Sequence, residues 1–201
     1  MSSPSTPTLS FLLQAHNLSG GPCGQAVFEP LSFSWPAGLN WVCGDEGCGK
    51  TTLLRLLAGD LLPLNGSIET PPGGVFWLDL QGAAHDETTV QACWDKLQAH
   101  YPHWNNALLQ DLSEALNMTS HRHKRLNMLS TGSRRKVMLV AALASGAAVT
   151  LLDQPFVSLD QVSIRLIKDF LTNTASQPDR AWIVADYEAP EGLVLASLLE
   201  L

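Results

Sequence analysis

The chain has 201 residues, 45% of them hydrophobic and 15% charged, and a formal net charge of -7. This length supports one domain, or one domain carrying a small subdomain, and the composition excludes disordered, collagenous and low-complexity classes. The acidic balance argues against a broad grip on a nucleic-acid backbone, so no nucleic-acid partner is expected. No apolar run reaches membrane-spanning length, and the Ser- and Pro-rich residues 1–8, expected to be disordered, lack the charged and apolar regions of a secretory signal. A cytoplasmic protein is expected. Cys23, Cys43, Cys48 and Cys93 form no C-x-x-C pair and no zinc spacing, and they read as free thiols of a reducing compartment.

In chain order, Leu9 to Ala15 and Ala26 to Trp35 read as strands, the second broken by Pro36-Ala37-Gly38. Leu39 to Cys43 is a short apolar strand between glycines, and Thr51 to Ala58 is a strong helix former stopped by Gly59. Gly66 to Glu69 and Val75 to Leu80 read as further strands around the turn-rich Thr70 to Gly74. Residues 87–125 have helical spacing, little β-branching and most of the histidines, and are expected to form a helical insert in a core made of 9–86 and 126–201. Helices at Ser133 to Leu143 and Gln161 to Leu171 then alternate with strands at Ala148 to Asp153 and Ala181 to Ala185. That alternation implies parallel strands with crossover helices, hence an α/β class. The tail Leu193 to Leu201 fits either a strand or a short helix.

Gly44-Asp45-Glu46-Gly47-Cys48-Gly49-Lys50-Thr51 fits G-x-x-x-x-G-K-[ST], a phosphate-binding loop, and it lies between an expected strand and an expected helix. Its glycines let successive backbone N–H groups turn inward around a phosphate, and the helix beginning near Lys50 adds the positive end of its dipole. Lys50 is expected to reach the β- and γ-phosphates of ATP, the Thr51 hydroxyl to coordinate Mg²⁺, and Thr52 to assist through its backbone. Asp153 ends an apolar strand where ligands of parallel sheets bind, and is expected to hold Mg²⁺ through water.

Leu129-Ser130-Thr131-Gly132-Ser133 resembles the L-S-G-G-Q signature of the ATP-binding cassette (ABC) ATPases, with Thr131 and Ser133 in place of glycine and glutamine. Gln81, after the strand from Val75, resembles that family's Q-loop glutamine, and Ser158-Leu159-Asp160 resembles its D-loop. The stretches TTLLRLLAG and DQPFVSLD look most like the small cassettes of cytochrome c maturation, which are thought to serve haem-export membrane subunits. The resemblance implies a P-loop fold with a parallel core sheet, an antiparallel N-terminal β region and a small helical subdomain. It further implies Mg²⁺ contacts from Gln81, an integral membrane partner, and a second cassette packed head to tail. In that packing Ser130 and Gly132 close over the γ-phosphate held by the other chain's loop.

The sequence departs from the family's pattern at three places. Gln154 stands where a glutamate activates the attacking water, and an amide cannot accept that proton, so slow turnover with ATP affinity kept is expected. Asp186 or Tyr187 falls where the family has a switch histidine, and the hydroxyl of Tyr187 suits a γ-phosphate better than a second carboxylate does. Ser19 to Gly24 offers no aromatic platform for adenine, so loose base recognition is expected. The resulting reading is an ATP-binding transporter subunit peripheral to the cytoplasmic face of the membrane. The alternative is a catalytically weak cassette serving as a nucleotide-dependent regulator or assembly factor.

Three further features read more simply. His100, Tyr101, His103 and Trp104 lie in the helical stretch and are expected to be core or partner-facing rather than haem ligands. His121 to Arg125 is a basic run expected to be a solvated loop, and Cys48 fills a variable position of the phosphate loop.

Overall fold

The computed structural model describes residues 11–174 and 177–201, so the expected disorder of residues 1–8 lies outside the described chain. A three-stranded antiparallel sheet comes first, with β1 (Phe11–Ser19) between β2 (Leu31–Pro36) and β4 (Asn65–Glu69). Leu13, Ala15 and Leu18 of β1 are buried, and Trp35 packs against Phe33 at 4.3 Å between ring centroids. β2 begins five residues later than the apolar pattern from Ala26 predicts, directly after Pro30, which cannot donate to a ladder.

The second sheet has the order β5-β6-β7-β3-β8 and is parallel throughout. β3 (Gly38–Cys43), β6 (Val149–Asp153) and β7 (Ala181–Ala185) form its centre, buried on both faces, which is why they read as continuous apolar runs. The tail resolves as β8 (Ser197–Glu200), an edge strand added beside β3. At the other edge β5 (Val75–Phe76) stops well short of Leu80. It pairs only with Val149 and Thr150, and past it the Asp79 carboxylate accepts the Gln81 N–H at 2.8 Å, turning the chain out of the sheet.

Helices cover both faces. α1 (Lys50–Leu57) buries Leu53, Leu54, Leu56 and Leu57 between the parallel sheet and the antiparallel one. Each such side chain contributes roughly 1.5–3 kcal/mol when taken from water. On the opposite face α4 (Thr131–Ala144) and α5 (Gln161–Thr174) pack on Leu39, Trp41, Leu152, Trp182 and Val184. Within residues 87–125 lie α2 (Val90–Gln98) and α3 (Asn106–Ala115), capped by the Thr89 and Asn105 side chains. They share the core of α4, and the Trp94 indole N–H donates to the Val137 carbonyl at 3.0 Å. The α/β class, the parallel core and the antiparallel N-terminal region therefore agree with the sequence reading.

The register places Val42, Asp153 and Ala185 side by side across β3, β6 and β7. All three strands release their chains at one end of the sheet, where the Gly44–Thr52 loop, Asp153, Gln154 and Tyr187 lie, with Gln81 after the edge strand β5 and Ser130 and Gly132 at the start of α4.

Candidate functional site

The loop from Gly44 to Gly49 leaves β3 and feeds directly into α1. Gly49 has φ 108, and a Cβ there would meet Phe28 Cδ1 at 2.8 Å, so conformation and space both demand glycine. Among the described residues no side chain caps α1, and the first intrahelical bond is made by the Leu53 N–H to the Gly49 carbonyl. The N–H groups of Lys50, Thr51 and Thr52 are left for an anion. Lys50 is only 6% exposed, and its ammonium donates to the Gly44 carbonyl at 2.5 Å and the Asp45 carbonyl at 2.7 Å. These bonds hold a full charge at the loop's mouth.

A cavity of 330 Å³ lies beside the loop, lined by Glu46, Gly47, Gly49 and Lys50 to Thr52, with Val27, Gln154 and Tyr187 on its walls. Lys50 Nζ stands 4.9 Å from the centre of the Tyr187 ring. Asp186 is turned elsewhere: its N–H donates to the Val42 carbonyl at 3.0 Å, and its carboxylate accepts the Tyr187 N–H at 2.8 Å. Of the two residues at the switch position, Tyr187 lines the cavity.

Next to it, sharing Thr51 and Gln154, is a cleft of 380 Å³ that also holds Asp79, Gln81, Arg134, Arg135 and Asp153. The Thr51 hydroxyl donates to Asp153 Oδ2 at 2.6 Å, joining the loop to the end of β6. Among the described residues Asp153 Oδ1 is buried without a partner. Burial pushes the Asp153 carboxyl up, opposed by the Thr51 hydrogen bond and by the charge of Arg135. Hydroxyl and carboxylate oxygens, one of them unsatisfied, are the donors a small hard cation takes, so this pair fits Mg²⁺.

Gln154 adopts a left-handed backbone at φ 44, unusual for a residue with a side chain. Its N–H donates to the Ala185 carbonyl at 2.8 Å, and its own carbonyl accepts from the Arg135 guanidinium. Two elements thus hold the peptide that presents the Gln154 side chain.

The Ser130 segment forms the start of α4. Ser130 is exposed and caps the helix by accepting the Ser133 N–H at 3.2 Å. The chain after β6 packs on this turn, and Lys136 pairs with Asp160 at 2.7 Å.

Three comparisons bear on this arrangement. Residues 28–157 match the sequence pattern of the ABC transporter family. The chain belongs to that family. The ABC chain is 34% identical over 163 residues to the cytochrome c biogenesis ATP-binding export protein CcmA of Rhodobacter capsulatus, covering 79% of this chain and 73% of the relative. Its likeness to the CcmA of Rhizobium meliloti is 30% over 203 residues, covering 94% of this chain and 97% of that one. In fold it is similar to an ABC transporter ATP-binding protein from Pyrococcus furiosus, with TM-score 0.74 and 24% identity over 94% of this chain and 96% of the other.

Two residues of this ABC site escape the sequence reading. Asp79 is a lone charge in the otherwise apolar run Val75 to Leu80, two positions before Gln81, and that interruption is the signal for it. Arg135 lies in the stretch after the signature, and only the fold brings it to Gln154. The remaining sequence features take ordinary contacts. Tyr101 donates to the Val75 carbonyl at 3.2 Å, His100 pairs with the Lys96 carbonyl at 2.7 Å, and Trp104 packs on the core. Arg122 and Arg125 of the basic run bond Gln110 and Glu87, both at 2.8 Å. Among the described residues no helix is long and apolar enough to cross a membrane.

Proposed function

We propose that the chain is the ATP-binding subunit of a membrane transporter, binding Mg-ATP at the Gly44–Thr52 loop and working as a dimer of cassettes. The observation that carries this reading is the bond from Thr51 to Asp153, which sets a hydroxyl and a carboxylate beside an uncapped helix end and a buried lysine. ATP phosphates would take the free N–H groups of Lys50 to Thr52, with Asp45, Glu46 and Cys48 contributing backbone around them. Thr51, Asp153 and Gln81 would hold Mg²⁺, whose charge offsets that of the phosphates. Tyr187 would donate its hydroxyl to the γ-phosphate. Exposed Ser130 and half-buried Gly132 would offer their helix end to the nucleotide of a second cassette. Residues 87–125 would form the insert facing an integral membrane subunit on the cytoplasmic side. Relatives named as cytochrome c biogenesis export proteins favour an export role in that process.

Hydrolysis in this reading is slow, because the Gln154 amide cannot take a proton from water. The same residue favours the second reading, a cassette that signals nucleotide occupancy to a soluble partner; co-purification with an integral membrane protein decides for the first. Calorimetry with Mg-ATP tests the site. The parent binds, and Lys50→Ala loses binding while remaining folded; equal affinity in the two proteins would remove the basis of the proposal.

A further inference from the structure

The phosphate loop carries two neighbouring carboxylates, Asp45 and Glu46, against a single ammonium, Lys50. Both acids are exposed, yet they stand differently. Asp45 gives its carbonyl to the Lys50 ammonium at 2.7 Å and takes no part in the wall of the 330 Å³ cavity, whereas Glu46 lines it. Among the described residues on that wall Glu46 is the one anion and Lys50 the one cation. Lys50 is bound to the Gly44 and Asp45 carbonyls, so it does not neutralise Glu46 by pairing with it. The Thr51 and Asp153 pair that fits Mg²⁺ opens instead into the neighbouring cleft, whose walls do not include Glu46. A divalent charge there would offset the phosphates from one side, while Glu46 would meet them from the other.

We propose that Glu46 is a charge-selecting residue of this site: it holds down the preference for ATP over ADP, so that the occupant follows the ratio of the two nucleotides. This rests on the site reading given above. A round cavity of 330 Å³ is roughly 9 Å across, close to the Debye length of about 8 Å at physiological salt, so a carboxylate on its wall is only partly screened from a phosphate inside it. The third phosphate adds negative charge within that small space, where Lys50 and the N–H groups of Lys50 to Thr52 attract it and Glu46 repels it. ADP meets the same carboxylate with less charge. The repulsion comes from a side chain that makes none of the binding contacts, so it can be removed without disturbing them. Because the Gln154 amide makes hydrolysis slow in this reading, occupancy is set by binding rather than by turnover, and Glu46 acts on that balance.

The test is calorimetric binding of Mg-ATP and of Mg-ADP to the parent, Glu46→Gln and Glu46→Asp. Glutamine keeps the length and loses the charge, at an exposed position outside the core. Glu46→Gln is expected to bind Mg-ATP about threefold to tenfold more tightly than the parent and to gain less for Mg-ADP, so the ratio of the two affinities moves toward ATP. Raising the salt concentration is expected to narrow the gap between parent and Glu46→Gln, which a change in loop packing would not do. Glu46→Asp keeps the charge, and its ratio is expected to stay nearer the parent's than that of the glutamine variant. An unchanged ratio in Glu46→Gln overturns the proposal, as does a changed ratio that salt leaves untouched. A parent that binds neither nucleotide overturns the site reading itself, and the selectivity with it.

Discussion

The carbonyl oxygen of Ser158 occupies the space a side chain on Gly132 would need: a Cβ there would lie 2.3 Å away. Two backbones are therefore in contact, one at the first turn of α4 and one in the chain after β6, where Ser158 itself has φ 63. Neither can yield by a side-chain rotation. Gly132→Ala gains at most roughly 1 kcal/mol of helix propensity, against an overpacking cost of about 1–3 kcal/mol. Net destabilisation is expected, with a fall in Tm of about 2–4 °C for each kcal/mol lost. Thermal melts of the two proteins check this, and an alanine variant melting with or above the parent would contradict the contact.

Gln154 is held in its left-handed conformation by Ala185 on one side and Arg135 on the other, so a replacement of equal length should keep the same direction. Gln154→Glu is expected to raise single-turnover hydrolysis by about 10² or more, since a positioned base contributes about 10² to 10⁴. Binding of Mg-ATP should change much less, because Lys50 and the loop amides are untouched. A fast parent, indifferent to the substitution, would show that turnover does not depend on this position.

The four thiols should differ in reactivity in a fixed order. Cys93 lies on the buried face of α2, and burial pushes its thiol up to about 11, whereas Cys23 is exposed. Since the thiolate is the reacting species, an alkylating reagent at neutral pH is expected to modify Cys23 first and Cys93 last in the native protein. Peptide mapping by mass spectrometry gives the order, and early modification of Cys93 would mean that α2 does not pack as described.

How much is legible in the sequence depends on whether the signal is local. The phosphate loop is readable because it is contiguous: a strand, three glycines and a lysine within one short stretch. The central strands are readable because burial on both faces demands unbroken apolar runs. The start of β2 is set by Pro30, which the apolar pattern from Ala26 runs across, and the end of β5 by the turn that the Asp79 carboxylate makes with the Gln81 N–H. Nothing in the apolar character of Val75 to Leu80 says that the strand leaves β6 after pairing with Val149 and Thr150. Asp79 and Arg135 escape for the same reason, since each acquires meaning only where β5, β6 and α4 converge. Tyr187 and Asp186 are adjacent and chemically plausible alternatives, and only the backbone direction after β7 separates them.

The pair Lys136–Asp160 ties α4 to the start of α5 and leads to a pH prediction. Asp160 accepts from the Lys136 ammonium at 2.7 Å and from the Ser163 N–H at 2.9 Å, and these bonds hold its carboxyl far below the usual carboxylate range. A carboxyl depressed in the folded state stabilises the fold above its unfolded pKa, and that contribution disappears as pH falls through the range below it. Asp160→Asn is therefore expected to lower Tm at neutral pH, with the difference from the parent shrinking on the acid side of the ordinary carboxylate range. The pair is exposed on the Asp160 side, so added salt should narrow the neutral-pH difference as well. Lys136→Gln removes the first of the two causes and leaves the Ser163 cap, so it should reproduce only part of the effect. Melts across pH for the three proteins check the argument, and a gap between parent and Asp160→Asn that stays constant into acid would show that the charge contributes nothing.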